Sequence, residues 1–134
     1  MRLVRAAERS GTAGKTGSQF TGQVFSYLTM PQTDGVTINT VTFNPGARTF
    51  WHSHTDGQIL EVVAGRGIVQ SEGQPPVSIG AGDTVWVPPG ERHWHGAAPD
   101  SFMTHTAISL GPTNWDEAVA DHDYDPSLNE TEER

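Results

Sequence analysis

From Phe20 onward, apolar residues come in short runs that alternate with polar ones and stop at glycine or proline. Val36 to Asn44 is the clearest: Val, Ile, Val and Phe interleave with Thr and Asn, and the run ends at Pro45-Gly46. A period of two predicts a strand with one face buried and the other outside. Gln23 to Thr29, Thr49 to His54, Gln58 to Val63 and Ile68 to Ser71 read as further strands. So do Pro76 to Ile79, Thr84 to Val87, His93 to Gly96 and Phe102 to Leu110. The breaks fall at Gly65-Arg66-Gly67, Glu72-Gly73, Gly80-Ala81-Gly82 and Pro88-Pro89-Gly90, all turn compositions. Short strands at such regular spacing predict an all-β sandwich or barrel. Trp115 to Ala120 is the exception, a predicted short helix with Asn114 as N-cap and acids in its first turn.

This pattern divides the chain into a flexible basic lead-in over residues 1–19, one barrel domain over 20–112, and an acidic helix and tail over 113–134. Residues 9 to 19 are small, polar and glycine-rich, and predict a loose segment. A phosphate loop is excluded there, because Arg9 stands where the first glycine of the Walker spacing belongs and no apolar helix follows.

Composition agrees with a single β domain. The chain has 134 residues, 15 glycines and 9 prolines, which suits many tight turns and one core. With no cysteine, disulfides and thiolate-bound zinc are excluded. Net charge is −8, with four of the eight basic residues in the first fifteen positions and half of the acids in the last nineteen. Neither end interleaves basic and aromatic residues, so a nucleic-acid surface is not expected. No apolar run nears the roughly 18 residues of a membrane span, and the N-terminus has no signal-like apolar region. A soluble, cytoplasmic protein is expected.

Two segments carry the candidate chemistry. In the first, Gly46 leads to His52, His54, Gln58 and Gly65; in the second, Gly82 leads to Pro88, Gly90 and His93. His52 and His54 are two residues apart, so on a strand both imidazoles leave one face. The Thr55-Asp56-Gly57 turn can return the Gln58 carbonyl to that face, and His93 approaches from a neighbouring strand. Three nitrogen donors and one oxygen donor suit a divalent transition ion: Mn, Fe, Ni, Co or Zn. Singly, each histidine reads as an ordinary polar residue; the combination is what points to a metal.

These landmarks resemble the two motifs of the cupin superfamily over roughly residues 20 to 110, which implies a jelly-roll β-barrel. The first motif is met by Gly46, His52, His54, position 58 and Gly65, except that Gln58 stands where glutamate is usual. The second is met by Gly82, Pro88, Gly90 and His93, with Ala97 in place of asparagine. A neutral amide donor leaves the ion its full formal charge, lowering metal affinity but sharpening the Lewis acid. The competing reading of Gln58 is a metal-free cupin.

Two further histidines are candidates for the same cavity. His95 lies two residues from His93. His105 shares a face of the last strand with Met103, Ala107 and Ser109, opposed by Phe102, Thr104, Thr106, Ile108 and Leu110. The period does not say which face is inward. Either histidine is a general base or a hydrogen-bonded structural residue. His122 is expected in solvent, and Trp51, Trp86 and Trp94 on the outer sheet or an oligomer contact. Phe25, Tyr27, Ile38, Val41 and Phe43 are candidates for core or cavity lining, which suggests a small apolar substrate. Arg48 and Arg66 are isolated and Arg92 is expected to point outward, so no phosphate-binding cluster forms.

Phe20-Thr-Gly22, Pro45-Gly-Ala-Arg-Thr49, Trp51-His-Ser-His54 and Gly57-Gln58 are similar to stretches of small bacterial cupins that include manganese-dependent (R)-selective hydroxynitrile lyases. Val85-Trp86, Pro89-Gly-Glu91, His93 to Pro99 and Met103-Thr-His105 extend the similarity. The resemblance implies His52, His54, Gln58 and His93 as ligands of Mn(II), with His105 as base and His95 beside it. It implies cleavage of a cyanohydrin such as mandelonitrile into aldehyde and hydrogen cyanide, in a homo-oligomer of two or four subunits. Asn39, Val41 and Ser109 are the expected substrate-side residues. Two alternatives stay open: a metal-dependent dioxygenase acting on a small aromatic or diketone, and a non-enzymatic cupin that binds a small ligand.

Overall fold

The structure, a computed structural model, describes residues 1–8, 10–15 and 19–125. Its strands are β1 Ser10–Lys15, β2 Phe20–Thr21, β3 Val24–Thr33, β4 Val36–Phe43, β5 Arg48–Thr49 and β6 His52–His54. They continue as β7 Gln58–Ser71, β8 Val77–Gly80, β9 Thr84–Val87, β10 His93–Ala97, β11 Met103–Leu110 and β12 Thr113–Trp115. One short helix, α1 Asp121–Tyr124, closes the described chain. The strands join in the order β1-β3-β4-β11-β7-β10-β5-β2, with β8 and β9 also on β7, and β6 joining β10 to β12. This is the nearly closed all-β barrel that the alternation predicts.

β7 turns the sheet into a barrel. Its first half pairs with β9 and β11, and its second half with β8 and β10. The register against β11 slips by one residue between Thr104 and His105, so β7 bulges around Val63. Gly65 follows at φ +76°, where an added Cβ would collide with the Phe102 carbonyl. The sequence reading broke the chain into two strands at Gly65-Arg66-Gly67. The glycines instead bend one continuous strand around the barrel corner.

The alternation of β11 is resolved by burial. Met103, His105, Ala107 and Ser109 are buried, and their neighbours are half-exposed. Met103 joins Val24, Val41, Phe43, Val62, Val69 and Ile79 in the main apolar core. On β3 the expectation is corrected. Ser26 faces the interior cavity while Tyr27 is 55% exposed, so Phe25 and Tyr27, on the opposite face, line neither core nor cavity, and Ile38 on β4 likewise lies outside both. Trp86 is exposed as expected, but Trp51 and Trp94 are buried with Val119 and Tyr124 under the C-terminal segment.

Both chain ends differ from the sequence reading. The loose lead-in contains β1, which pairs antiparallel with β3 from Ser10↔Leu28 to Lys15↔Val24. The predicted helix at 115–120 is absent: Trp115 ends a strand opposite His52, and Trp51 exchanges backbone hydrogen bonds with Asp116 and Glu117, each 2.9 Å. Ladder pairing overrides the local helix preference, and the helix is displaced to the single turn of α1. The acidic tail beyond Asp125 lies outside the described residues. Among the described residues, no helix is long and apolar enough to cross a membrane.

Candidate metal centre

Strand pairing brings the sequence-distant histidines together. β6 presents His52 and His54 on one face, and β10 sets His93 directly opposite His52. Gln58 opens β7 opposite Ser109 on β11. The turn before it needs Gly57: its φ is +101°, and a Cβ there would lie 2.6 Å from the Trp86 ring. His52, His54, Gln58, His93, His95 and His105 are all buried. The ring centroids of His52 and His93 are 4.3 Å apart, and those of His52 and His54 5.0 Å.

Each candidate ligand is held by its far end. His52 Nδ1 lies 2.8 Å from the Phe50 carbonyl, and His93 Nδ1 lies 3.0 Å from the Glu91 carbonyl. His54 Nδ1 lies 3.1 Å from Thr113 Oγ1. A carbonyl accepts only, so in His52 and His93 the proton sits on Nδ1 and the lone pair on Nε2. Gln58 Nε2 donates to Ser109 Oγ at 3.1 Å, which turns the amide oxygen toward the histidines. Gln58 Oε1 therefore lies 3.1 Å from His93 Nε2. A neutral His93 has no second proton to give it. Two facing lone pairs call for a cation shared between them, and adjacent ligands of one transition ion lie about 3 Å apart when each bond is about 2.1 Å.

Electrostatics keeps the cluster neutral. Burial, and then repulsion from His93, lowers the pKa of His54 to about 4. Burial also holds His52 and His95 well below the usual value, reinforced by the neighbouring histidines, and lowers His93. Neutral imidazole is the form that binds a metal. His54 Nε2 is buried without a hydrogen-bond partner among the described residues, as suits an atom that would bind a metal. The residues fit a divalent metal.

His95 and His105 form a second pair. His105 Nε2 and His95 Nδ1 are 2.9 Å apart, while His95 Nε2 and His105 Nδ1 lack partners among the described residues. Burial lowers the pKa of His105 to about 4. His95, rather than His54, joins His52 and His93 in the group whose ring nitrogens all lie within 4.8 Å of one another. His52, His54, Gln58, His95 and His105 line a cavity of about 430 Å³ together with Asn39, Val41 and Ser109.

Sequence reading missed the contribution of β12. Thr113 and Trp115 stand opposite His54 and His52, line the cavity, and touch those rings through a hydrogen bond and a ring contact at 4.6 Å. Their own alternation was the available signal, hidden by the helical reading of the same stretch. Thr49, which also lines the cavity, accepts the His95 backbone N–H at 3.2 Å. Arg48 is not isolated: its buried guanidinium contacts Asp121 at 2.7 Å and lies 4.3 Å from the Tyr124 ring centre. Arg92 points outward as expected and pairs with Glu72, Asp116 and Glu117. His122 is 58% exposed, as expected of a solvated residue.

A small antiparallel barrel with neutral histidines clustered inside it is a scaffold for a divalent metal. The chain matches the Cupin domain family over residues 39–106 and belongs to that family. It is 52% identical over 88 residues to an (R)-mandelonitrile lyase of Granulicella tundricola, spanning 63% of this chain and 67% of that protein. The crystal structure of a cupin-like protein from Thermotoga maritima is 40% identical, with a TM-score of 0.78 over 84% of this chain and 92% of that one. The polyketide cyclase RemF from Streptomyces resistomycificus shares the fold alone, at 14% identity and a TM-score of 0.69 over 96% and 93% of the two chains.

Proposed function

We propose that this protein is a metal-dependent lyase that cleaves and forms cyanohydrins of the mandelonitrile type. The observation that carries the reading is one buried cluster with two adjoining parts: His93 Nε2 facing Gln58 Oε1 beside His52, and next to it the His95–His105 hydrogen bond reaching into the cavity. The relative named as a mandelonitrile lyase supports the choice of reaction.

In this reading, Nε2 of His52, His54 and His93 and Oε1 of Gln58 hold the ion, with manganese first among Mn, Fe, Ni, Co and Zn. When bound, a divalent ion supplies Lewis-acid stabilisation of the negative charge that develops during cleavage. His105 accepts the hydroxyl proton of the cyanohydrin. The bond to the nitrile carbon breaks as the carbonyl forms, and cyanide leaves with the electron pair. Protonated His105 is destabilised by its burial, so it returns the proton to cyanide and no net proton is consumed. His95 positions the His105 ring through their shared hydrogen bond. Asn39, Val41 and Ser109 shape the substrate side of the cavity.

The test is manganese-loaded protein with racemic mandelonitrile under argon, followed by benzaldehyde release. The expected result is turnover that does not depend on oxygen, favours one enantiomer and stops on chelation. Turnover in air alone would indicate a dioxygenase, and bound metal without turnover would indicate a ligand-binding cupin.

A further inference from the structure

At the rim the cavity wall is aromatic on one side: Phe20 and Trp115 come from β2 and β12, whereas Asn39, Val41, Ala107 and Ser109 supply small or polar groups from β4 and β11 and the fully buried Phe43 lies deeper, beside His105. Trp115 is 38% exposed yet lines the cavity, so it stands at the boundary between cavity and solvent. Its ring centre lies 4.6 Å from that of His52 at an interplanar angle of 33°, and 6.0 Å from that of Phe20 at 62°.

The indole is also held in place. Trp115 pairs with His52 across the β12–β6 ladder. The next two residues are tied back to Trp51 by backbone hydrogen bonds and to Arg92 by ion pairs. A fixed aromatic surface binds a flat ring without the cost of ordering a mobile side chain. Aromatic pairs gain from offset or edge contacts beyond their buried area, a gain that a saturated group of similar size does not share. A cavity of about 430 Å³ is small among ligand sites, so it suits one ring and a short polar head.

We propose that Trp115, with Phe20 at its edge, is the specificity-determining residue that selects aryl over aliphatic substrates. The choice of cyanohydrins as those substrates rests on the function proposed above; the binding of an aryl group to this wall does not. In the bound state the ring lies against Trp115 and Phe20, and the hydroxyl-bearing carbon points inward to His105 and the Gln58 cluster.

The experiment compares wild-type, Trp115→Leu and Trp115→Phe proteins, all manganese-loaded and checked for equal metal content. Calorimetric titration uses two unreactive probes of similar size, benzyl alcohol and cyclohexylmethanol. Trp115→Leu is expected to weaken benzyl alcohol about tenfold and cyclohexylmethanol less than about twofold, while Trp115→Phe stays within about threefold of wild type. In turnover, the kcat/KM ratio of mandelonitrile to acetone cyanohydrin falls about tenfold in Trp115→Leu and recovers in Trp115→Phe. Equal weakening of both probes would overturn the assignment. So would loss of the metal in Trp115→Leu, since Trp115 would then serve to hold His52. If wild type turns over neither cyanohydrin but Trp115→Leu still loses benzyl alcohol selectively, the proposed reaction falls and the aryl wall stands.

Discussion

The two ends of the barrel interior are built from the same strands and do opposite things. On β11, Met103 packs into the apolar core, while His105, Ala107 and Ser109 run on into the cavity. β4 changes in the same direction, from Phe43 in the core through Val41 to Asn39 in the cavity. On β7, Val62 is core and Gln58 belongs to the candidate metal centre. One end gains stability from packed methyl and aromatic groups. The other gives up that packing to hold buried imidazoles apart and leave room for a ligand. Divided this way, substitutions at the cavity end are expected to fall first on activity, and those at the packed end first on stability.

The largest effect falls on chemistry. His105→Ala is expected to lower kcat for mandelonitrile by about 10²–10⁴-fold while metal content stays at the wild-type level. Steady-state kinetics with elemental analysis checks both halves, and a variant that loses its metal would erase the distinction between the two histidine groups. Next comes the packed end. Met103→Ala removes a fully buried side chain and is expected to cost about 2–5 kcal/mol in urea unfolding, with kcat per folded molecule unchanged.

Acid sharpens the comparison from the polar end. His54 and His105 are each lowered from 6.5 to about 4 by burial, and His52, His93 and His95 shift the same way. Depressed values mean that the unfolded chain binds protons first. The buried neutral histidines therefore support the fold fully above about pH 6.5, and that support is lost as pH falls toward about 4. For His105 alone this is on the order of 3 kcal/mol. Thermal unfolding of chelator-treated protein should give a Tm that drops steadily between pH 7 and pH 4. A flat Tm over that interval would show that the histidines are not buried as described. The smallest effect belongs to β12. Thr113→Val removes the hydroxyl against His54 Nδ1 and is expected to weaken metal binding about 10–100-fold, with Thr113→Ser restoring most of it.

The alternation of β11 was legible as a strand because one face is buried along its full length, though burial and not the period says which face; on β4 only Val41 and Phe43 are buried, and Val36 and Ile38 fall on the other face. The spacing of His52, His54, Gln58 and His93 was legible because glycine and proline fix the turns around them. Asn39, Val41 and Ser109 line one cavity with His52, His54, Gln58, His95 and His105. What the sequence concealed depends on long-range pairing. Asn114, Trp115 and the acids that follow look like a helix start, yet their backbone completes a ladder with Trp51 to His54. Gly65 looks like a stop, yet it is a bend whose necessity appears only where the Phe102 carbonyl crosses it. Arg48 looks isolated because its partners, Val119 and Asp121, lie more than seventy residues away.

Anomalous diffraction from a manganese-soaked crystal would locate the ion. One strong peak is expected, bonded to Nε2 of His52, His54 and His93 and to Oε1 of Gln58. No peak in the cavity, or a peak held by His95 with Gln58 turned away, would rule this metal centre out.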